Sequence, residues 1–498
     1  MLALRPPSSE PASIEQLLRK LERLRDEVAS EGRRTFDGWR PRIARRAFAL
    51  SALNLANYLA LRRNDLRALQ LELMPLGLSS LGRCEARVLP NLDAVIASLS
   101  AVKAHESADA RYPSAHAFFR GERLLRRETE IVFGPTPPNR AVHIMVTLPP
   151  EAASSYDVVK ELVELGMDCA RINCAHDDRG AWEAMVAHVR RAAAESGRTC
   201  RVCIDLAGPK VRTAGVELPS EDHRLHVGDT IVLTGGTAMV VPDHLVRMRC
   251  TIPDVIEHLH KGDPVWINDG KIGAVVDDML PMGAMLRVTT ARPKGEKLRA
   301  DKGLNFPDTA LPVAALTQRD CEDLDFVATH ADIIGYSFVR EASDVRRLQR
   351  ELAARRSHPQ RLAIMLKVET AQAVRNLPEL IVEVGGSQPV AVMIARGDLA
   401  VEIGYRRLAE MQEELLWLCE AASVPVVWAT QVLDGFVKSG IPSRAEFTDV
   451  AMAERAECVM LNKGPYVADA VALLDDVLGR MEGHQVKKTS RLRALHSW

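Results

Sequence analysis

The stretch PVAVMIARGD, residues 389–398, is an apolar run that ends in an arginine, a glycine and an aspartate. A simple turn could use the glycine and the aspartate. An adhesion-type Arg-Gly-Asp tripeptide would need an exposed hairpin, which the end of an apolar strand does not supply. A third interpretation is a metal and phosphate site at the carboxyl end of a buried barrel strand. The rest of the chain decides between the three.

Short apolar runs of the same kind alternate with amphipathic helical segments from residue 141 onward. Three runs precede residues 214–300 and five follow them, namely AVHIMVT, DCARIN and CRVCIDL, and then ADIIGYSF, RLAIMLKVE, PVAVMIARGD, VPVVWATQ and AECVMLNKG. Residues 214–300 are rich in strands and turns, which predicts an inserted β domain. Eight strand–helix units predict an α/β fold, a TIM (β/α)8 barrel formed by residues 141–213 and 301–484.

The sequence before the barrel has a different pattern of apolar and polar residues. Residues 1–135 form a helical region, with helices predicted in IEQLLRKLERLRDEV, RRAFALSALNLANYLALRR and GLSSLGRCEARVLPNLDAVIASLSAV (residues 77–102). MLALRPPSSEPAS is typical of a short disordered tail, and GPTPPNR, residues 134–140, of a linker. Residues 485–498 are a basic tail.

Composition narrows the class of protein. The 498 residues are 47% hydrophobic and 26% charged, and the net charge is −1. These values favour a globular chain with no strong attraction to nucleic acid or to a membrane. The sequence contains no apolar run of transmembrane length. Nine cysteines without a disulfide framework predict reduced thiols in the cytoplasm.

Polar residues follow the predicted strands at their carboxyl ends, where barrel enzymes place their chemistry. Glu369 and Asp398 end neighbouring strands, so their carboxylates can share a hard cation such as magnesium. Arg171 offers a bidentate fork for a phosphate. Lys367 suits the charge that develops on a transferred phosphoryl group. Gly397 lets the backbone approach a small carboxylate closely.

Several motifs together resemble the pyruvate kinase family. They occur in the order found in that family over about residues 141–484, and they are ARINCAH (170–176), DLAGPKVRT (205–213), INDGKI (267–272), KGLNFP (302–307), YSFVREASDV (336–345), KVET (367–370), ARGDLAVEI (395–403), ATQVLD (429–434) and PSRAEFTDVAMA (442–453). The resemblance implies a barrel with a β-barrel lid, and phosphoryl transfer from phosphoenolpyruvate to ADP, giving pyruvate and ATP in glycolysis.

The resemblance also implies roles for individual residues. Mg²⁺ or Mn²⁺ would be bound by Glu369 and Asp398. The catalytic residues would be Lys367, Arg171 and Thr430. The pyruvate part of the substrate would be held by Ala395, Arg396, Gly397 and Ser337, and the nucleotide phosphates by Asn173, His176 and Arg212.

The chain departs from the family's pattern at several positions. The family usually has Ser where Ala175 stands, Thr-Lys where Leu206 and Ala207 stand, and Ser-Gly-Glu where Asn462, Lys463 and Gly464 stand. Lys210 occupies a position where potassium-dependent relatives carry Glu, so the resemblance implies that Lys210 replaces the monovalent cation and that K⁺ is not required.

Two departures concern regions outside the barrel. The helical region 1–135 has no counterpart in the common enzyme. The sequence stops soon after the eighth strand and its helix, so we expect the family's C-terminal regulatory domain to be absent. We therefore expect no activation by fructose bisphosphate, and a homo-oligomer, if one forms, that uses the barrel surface or residues 1–135.

Two other functions stay open at this point. One is a non-catalytic regulator that kept the barrel and uses its helical region for a partner. The other is a related enzyme that acts on another enolpyruvate-type acid. The joint presence of Arg171, Lys367, Glu369, Asp398 and Thr430 favours an enzyme over the regulator, and the related enzyme stays open because the side of the pocket that reads substrate size is not identifiable from the sequence.

Overall fold

The computed structural model describes residues 13–78, 80–103, 114–220, 222–235, 245–281, 283–309, 311, 313–482, 485–487 and 489–490. A helical region comes first, a closed parallel barrel follows, and a mixed sheet is inserted after the third barrel strand. Residues 1–12 of the predicted disordered tail and 491–498 of the basic tail lie outside the described residues. Within these ranges, no helix has the length and apolar character needed to cross a membrane.

The eight barrel strands pair in sequence order, and the first closes the ring with the last. Their bounds are β1 His143–Thr147, β2 Cys169–Asn173, β3 Arg201–Asp205, β4 Ile333–Tyr336, β5 Ala363–Val368, β6 Val390–Ala395, β7 Val426–Ala429 and β8 Cys458–Leu461. His143 of β1 is in register with Cys458 of β8. Cys203 of β3 is in register with Ile333 of β4, across the insertion. The predicted barrel is confirmed.

The barrel strands are buried because helices cover their outer faces and side chains fill the interior. Alternate residues point inward, as the two-residue period of a strand requires. The interior is built largely from adaptable sulfur-containing side chains, among them Met145, Cys169, Cys203, Met365, Met393, Cys458 and Met460. This interior is a packed core, so ligands must bind above the strand ends.

Polar caps start several barrel helices directly above the strand ends. Asp178 accepts a hydrogen bond from the backbone N–H of Ala181 at 2.9 Å, and Thr370 accepts one from Ala373 at 3.1 Å. The helices of the barrel are Tyr156–Leu165, Arg179–Ser196, Gln318–His330, Ala342–Arg355, Ala371–Gly385, Arg396–Ile403, Tyr405–Ala421, Asp434–Ser439, Arg444–Ala453 and Val467–Glu482. Helices that follow strands begin at the carboxyl face, so their N-termini contribute positive potential there.

The inserted β domain is a seven-stranded sheet with its own core. Its strands are Thr213–Glu217, Thr230–Thr234, Val246–Cys250, Pro264–Ile267, Ile272–Leu280, Gly283–Thr290 and Leu304–Asn305. Ile231, Leu233 and Leu286 are among its fully buried residues. The last strand lies a few residues beyond the predicted boundary at residue 300, because it pairs with Trp266 and Ile267.

The N-terminal region is helical, as predicted, but the third of the predicted helices begins later than expected, and the short helix Arg67–Leu73 comes before it. The third predicted helix starts at Val88 and follows two short 3-10 helices, Ser80–Arg83 and Glu85–Arg87. The reason is Pro90, whose ring would clash inside a longer helix but is tolerated in the first turn. The α-helices of this region are Ile14–Trp39, Ala49–Arg62, Arg67–Leu73, Val88–Lys103, Ala115–Phe118 and Arg120–Phe133.

The N-terminal region packs directly on the barrel. Trp39 Nε1 donates to Glu379 Oε1 at 2.8 Å, and Asn54 Nδ2 donates to the carbonyl of Ala421 at 2.9 Å. The region therefore covers the barrel helices that follow β5 and β6. Val132 and Phe133 belong to the same buried cluster as the barrel interior, so the end of the last N-terminal helix seals the amino end of the barrel.

Candidate active site

A cavity of about 200 Å³ lies at the carboxyl ends of the barrel strands. Ten of the residues predicted from sequence line it: Arg171, Asn173, Lys210, Arg212, Ser337, Lys367, Glu369, Ala395, Asp398 and Thr430. Ala175, Met393, Met460 and Asn462 line it as well. Arg396, Gly397 and His176 were also predicted here, but they do not line this cavity. The fold thus brings these residues from six barrel strands and their loops to one cavity, and their predicted roles stay predictions.

Four buried charged side chains form the base of the cavity. Asp205 Oδ2 lies 2.8 Å from Arg171 Nη2 and 3.3 Å from Lys367 Nζ. Lys367 Nζ also lies 3.1 Å from Glu369 Oε1 and donates to Ser337 Oγ at 2.7 Å. Asp205 is the last residue of β3. In the fold it holds Arg171 and Lys367 together.

The pKa values of Arg171, Lys367 and Asp205 are shifted in the directions that favour their charged forms. Burial works to lower the pKa of Lys367, but Glu369 and Asp205 outweigh it and the pKa is raised. Burial works to raise the pKa of Asp205, but Arg171 and Lys367 outweigh it and that pKa is lowered. The cavity therefore presents a fixed ammonium and a fixed guanidinium at neutral pH.

Glu369 and Asp398 offer the oxygen donors that a divalent cation prefers. Burial raises the pKa of Glu369, and the charge of Asp398 adds to the shift against the opposing effect of Lys367. Two carboxylates that repel one another in a cavity gain from a cation between them. Each carboxylate already meets an ammonium, since Lys210 Nζ lies 2.7 Å from Asp398 Oδ1. Glu369 and Asp398, as acidic oxygen donors that face the same cavity, fit Mg²⁺ or Mn²⁺.

The Arg396 side chain points away from the cavity and holds the β7 loop. Its Nε donates to the carbonyl of Ala429 at 2.9 Å and its Nη2 to the carbonyl of Thr430 at 2.6 Å. The guanidinium also bonds both carboxylate oxygens of Asp449 and stacks over Trp428, with 4.7 Å from Cζ to the ring centroid. Asp449 gave no signal in the sequence, because only the fold brings it to Arg396.

The loop that Arg396 holds has an unusual backbone. Thr430 and Gln431 have φ values of 65° and 57°, the left-handed region that costs energy for residues other than glycine. Thr430 Oγ1 accepts a hydrogen bond from Gly397 N–H at 2.8 Å. The cavity therefore carries a hydroxyl with a fixed position. Gly397 contributes its backbone N–H to this hydrogen bond and does not line the cavity. Its predicted approach to a substrate carboxylate stays a prediction.

The β2 and β3 side of the cavity is more open. Asn173 Oδ1 accepts from the backbone N–H of Ala175 at 3.0 Å, and Arg212 Nη1 lies 3.3 Å from Asp301 Oδ1. The pKa of His176 is lowered, first by burial and then by the charges of Lys463 and Arg212. This side therefore has a positive potential.

A second and larger cleft of about 820 Å³ lies beside the attachment of the inserted β domain. Phe338 lines both it and the first cavity. Glu402, four residues after Asp398, lines this cleft and accepts a hydrogen bond from Asn305 Nδ2 at 3.5 Å. Burial raises the pKa of Glu402 to about 7. Glu402 therefore lies apart from the Glu369–Asp398 pair.

The fold and the site together define a class, a (β/α)8 barrel with an inserted β domain and a cation–carboxylate cavity at the carboxyl face. The family model "Pyruvate kinase, barrel domain" matches residues 139–471. The chain is 32% identical over 369 residues to a pyruvate kinase of Thermococcus litoralis, which covers 72% of this chain and 73% of that protein. The chain belongs to the pyruvate kinase family.

Other relatives give a similar identity and coverage. A pyruvate kinase of Geobacillus stearothermophilus is 31% identical over 350 residues, which is 69% of this chain and 57% of that protein. One of Methylorubrum extorquens is 30% identical, with 69% of each chain covered. The chain thus spans a little over half the length of the Geobacillus protein.

Proposed function

We propose that this protein transfers the phosphoryl group of phosphoenolpyruvate to ADP and so forms pyruvate and ATP. The observation that carries the proposal is the buried cluster in which Asp205 and Glu369 hold Lys367 and Arg171 in their charged forms. Preformed positive charge at this place is what phosphoryl transfer requires of a protein. The choice of phosphoenolpyruvate and ADP as the substrates is based on membership of the pyruvate kinase family.

The residues of the cavity divide the work between them. Arg171 and Lys367 bind the phosphoryl oxygens while the bond from phosphorus to the enol oxygen breaks and a bond to the terminal ADP oxygen forms. The enolate that remains takes up a proton, which comes from solvent, at its methylene carbon next to the Thr430 hydroxyl. Glu369 and Asp398 would hold Mg²⁺ or Mn²⁺, which supplies positive charge to the phosphoryl and enolate oxygens.

We further propose that the reaction does not need potassium. Ala175 and Leu206 provide no side-chain oxygen at positions where potassium-dependent relatives bind the ion. Lys210 lines the cavity and reaches Asp398 at 2.7 Å. Its ammonium is a compact charge on a flexible stem, and it can supply the positive charge that the ion would bring.

The same ion pair favours a second candidate function. Lys210 engages one of the two carboxylates that would hold the metal, so a barrel that never binds a metal could keep this geometry as a non-catalytic regulator. A related enzyme with a different enolpyruvate-type acid would share every contact described above. Activity with the named substrates separates these functions.

The test is a coupled assay with phosphoenolpyruvate, ADP and magnesium in potassium-free buffer. We expect pyruvate and ATP to form in equal amounts, and only when the metal is present. Lys367→Met is the matched inactive control for contaminating kinase. If the wild-type protein binds magnesium but forms no pyruvate at saturating substrate, the regulator becomes the better description. Turnover of another enolpyruvate-type acid in place of phosphoenolpyruvate would favour the related enzyme.

A further inference from the structure

The charged base of the catalytic cavity lies on a layer of sulfur-containing side chains in the barrel interior. Cys203 and Asp205 are two residues apart on β3, so both point into the barrel, in successive layers. Met365 and Lys367 have the same relation on β5. The upper layer carries the charges and the lower layer carries sulfur, so the lower layer can influence how the charged groups are held.

The two carboxylate oxygens of Asp205 have different partners. Oδ2 lies 2.8 Å from Arg171 Nη2 and 3.3 Å from Lys367 Nζ. Oδ1 has a single donor among the residues that the structure describes, the Cys203 thiol at 3.6 Å. Asp205 and Cys203 are both fully buried. A buried acceptor that loses its donor costs free energy, so the thiol helps to hold the carboxylate in this orientation.

The Cys203 thiol is able to donate because it keeps its proton. A hydrogen bond from Cys169 works to lower the pKa of Cys203, but burial and the charge of Asp205 outweigh it and the pKa is raised. Burial raises the pKa of Cys169 well above its ordinary range. Hydrogen bonds therefore run from Cys169 to Cys203 and from Cys203 to the Asp205 carboxylate.

Gly335 provides the space that the Asp205 carboxylate occupies. This glycine of β4 is in register with Asp205. A Cβ at position 335 would lie 1.9 Å from Asp205 Oδ1 and 2.6 Å from its Cγ. Both distances are far inside van der Waals contact. Any side chain at this position would therefore force the carboxylate away from its present place.

We propose that Cys203 and Gly335 are positioning residues for phosphoryl transfer, because together they fix the Asp205 carboxylate. That carboxylate in turn holds Arg171 and Lys367 where the transferring group binds. The proposal rests on the proposed function, which assigns the two cations to the phosphoryl oxygens. Neither Cys203 nor Gly335 lines the cavity, so both act through Asp205 and not on the substrate.

Three variants test the proposal by steady-state kinetics and by calorimetric titration of phosphoenolpyruvate with magnesium in the absence of ADP. We expect Cys203→Ala to lower kcat by about three- to tenfold, the size of one neutral hydrogen bond. Cys203→Ser keeps a shorter donor and should recover part of this loss. Gly335→Ala displaces the carboxylate and should lower kcat by about a hundredfold. The KM for ADP should stay unchanged in all three variants.

Cys458→Ala is the matched control, because Cys458 of β8 is a fully buried cysteine of the same interior. It should lower the thermal unfolding midpoint about as much as Cys203→Ala and leave kcat unchanged. If Cys203→Ala and Cys458→Ala lose the same share of kcat, the thiol acts only through core packing and the proposal is wrong. A Gly335→Ala variant with wild-type kcat would overturn the role of Gly335.

The binding measurement separates this proposal from the proposed function. If the wild type forms no pyruvate, the function fails and the Kd for phosphoenolpyruvate decides the positioning role. A Kd that is raised in Gly335→Ala and Cys203→Ala but not in Cys458→Ala would support that role. Equal Kd values in the inactive wild type and these three variants would overturn it.

Discussion

The two ends of the barrel each hold a buried arginine beside an aspartate, and they use the pair differently. At the amino end every nitrogen of Arg140 bonds protein, with Asp475 at 2.7 Å, Asp168 at 2.8 Å and the carbonyls of Gly166 and Val142. At the carboxyl end Arg171 bonds Asp205 and Thr147 but also lines an open cavity. The same pair thus bonds only protein groups at one end and borders an open cavity at the other.

Substituting Lys367 should give the largest effect and define the carboxyl end as the reactive one. Lys367→Met removes a preformed charge from the transferring group, so we expect kcat to fall by about a thousandfold or more. Steady-state kinetics measure the loss, and circular dichroism checks that the fold persists. A variant that keeps near-normal kcat would show that the ammonium does not act on the phosphoryl group.

Arg140→Met tests the opposite end. It leaves the Asp168 carboxylate buried without its main partner, since Arg198 lies farther away at 3.7 Å. We expect a loss of about 3 kcal/mol in unfolding free energy and an unchanged kcat in the fraction that remains folded. Urea unfolding and kinetics on the same preparation measure both quantities. A fall in kcat without a shift of the unfolding midpoint would break the division between the two ends.

The fold could be predicted from sequence more completely than the site. An apolar run followed by a polar residue marks each barrel strand in the sequence, as at Ala395 to Asp398. This signal is local, so it does not depend on how the strands pair. The Arg396–Asp449 clamp and the seal made by Phe133 gave no signal, because they join segments that are distant along the chain. Pro90 is a local signal that could have been used, because a proline is tolerated only in the first turn of a helix and so places the start of this helix just before residue 90.

His143 gives the amino end a sensitivity to acid. Burial lowers the pKa of its imidazole to about 4 from 6.5, with a smaller opposing effect of Asp168, and neither ring nitrogen has a hydrogen-bond partner among the described residues. Because the folded-state pKa is the lower one, the unfolded chain binds more protons between these values. Stability is therefore lost as the pH falls from about 6.5 to about 4.

His143→Leu should remove that loss. From the pKa difference we expect the wild type to lose up to about 3 kcal/mol over this range through His143, at ~1.4 kcal/mol for each pKa unit. The variant should be nearly as stable as wild type at pH 7 and more stable at pH 5, in urea titrations at each pH. Parallel curves for the two proteins would contradict the assignment.

Asp398→Asn returns to the carboxyl end with a smaller expected effect. It keeps the shape of the side chain but removes one of the two charges that would hold the metal. We expect magnesium affinity to fall by about ten- to a hundredfold, measured by calorimetry without substrates. An unchanged Kd for magnesium would place the metal elsewhere in the cavity.

Lys210→Glu gives the smallest effect and reverses the sign of one side chain's charge. The wild type should turn over in potassium-free buffer at close to its rate in potassium. The variant should lose about tenfold of the potassium-free rate, in line with one lost charge interaction, and regain part of it when potassium is added. A wild type that is nearly inactive without potassium would refute the substitution of lysine for the ion.

Because β1 pairs with β8, the barrel cannot close during synthesis until the last strand has left the ribosome. Translation proceeds at about 5–20 residues per second, and β1 has no partner on its β8 side until Leu461 has been synthesised. The inserted β domain is complete well before that moment and has a core of its own. It can fold while the barrel is still an open sheet, and Phe133 has no interior to fill until the last strand arrives.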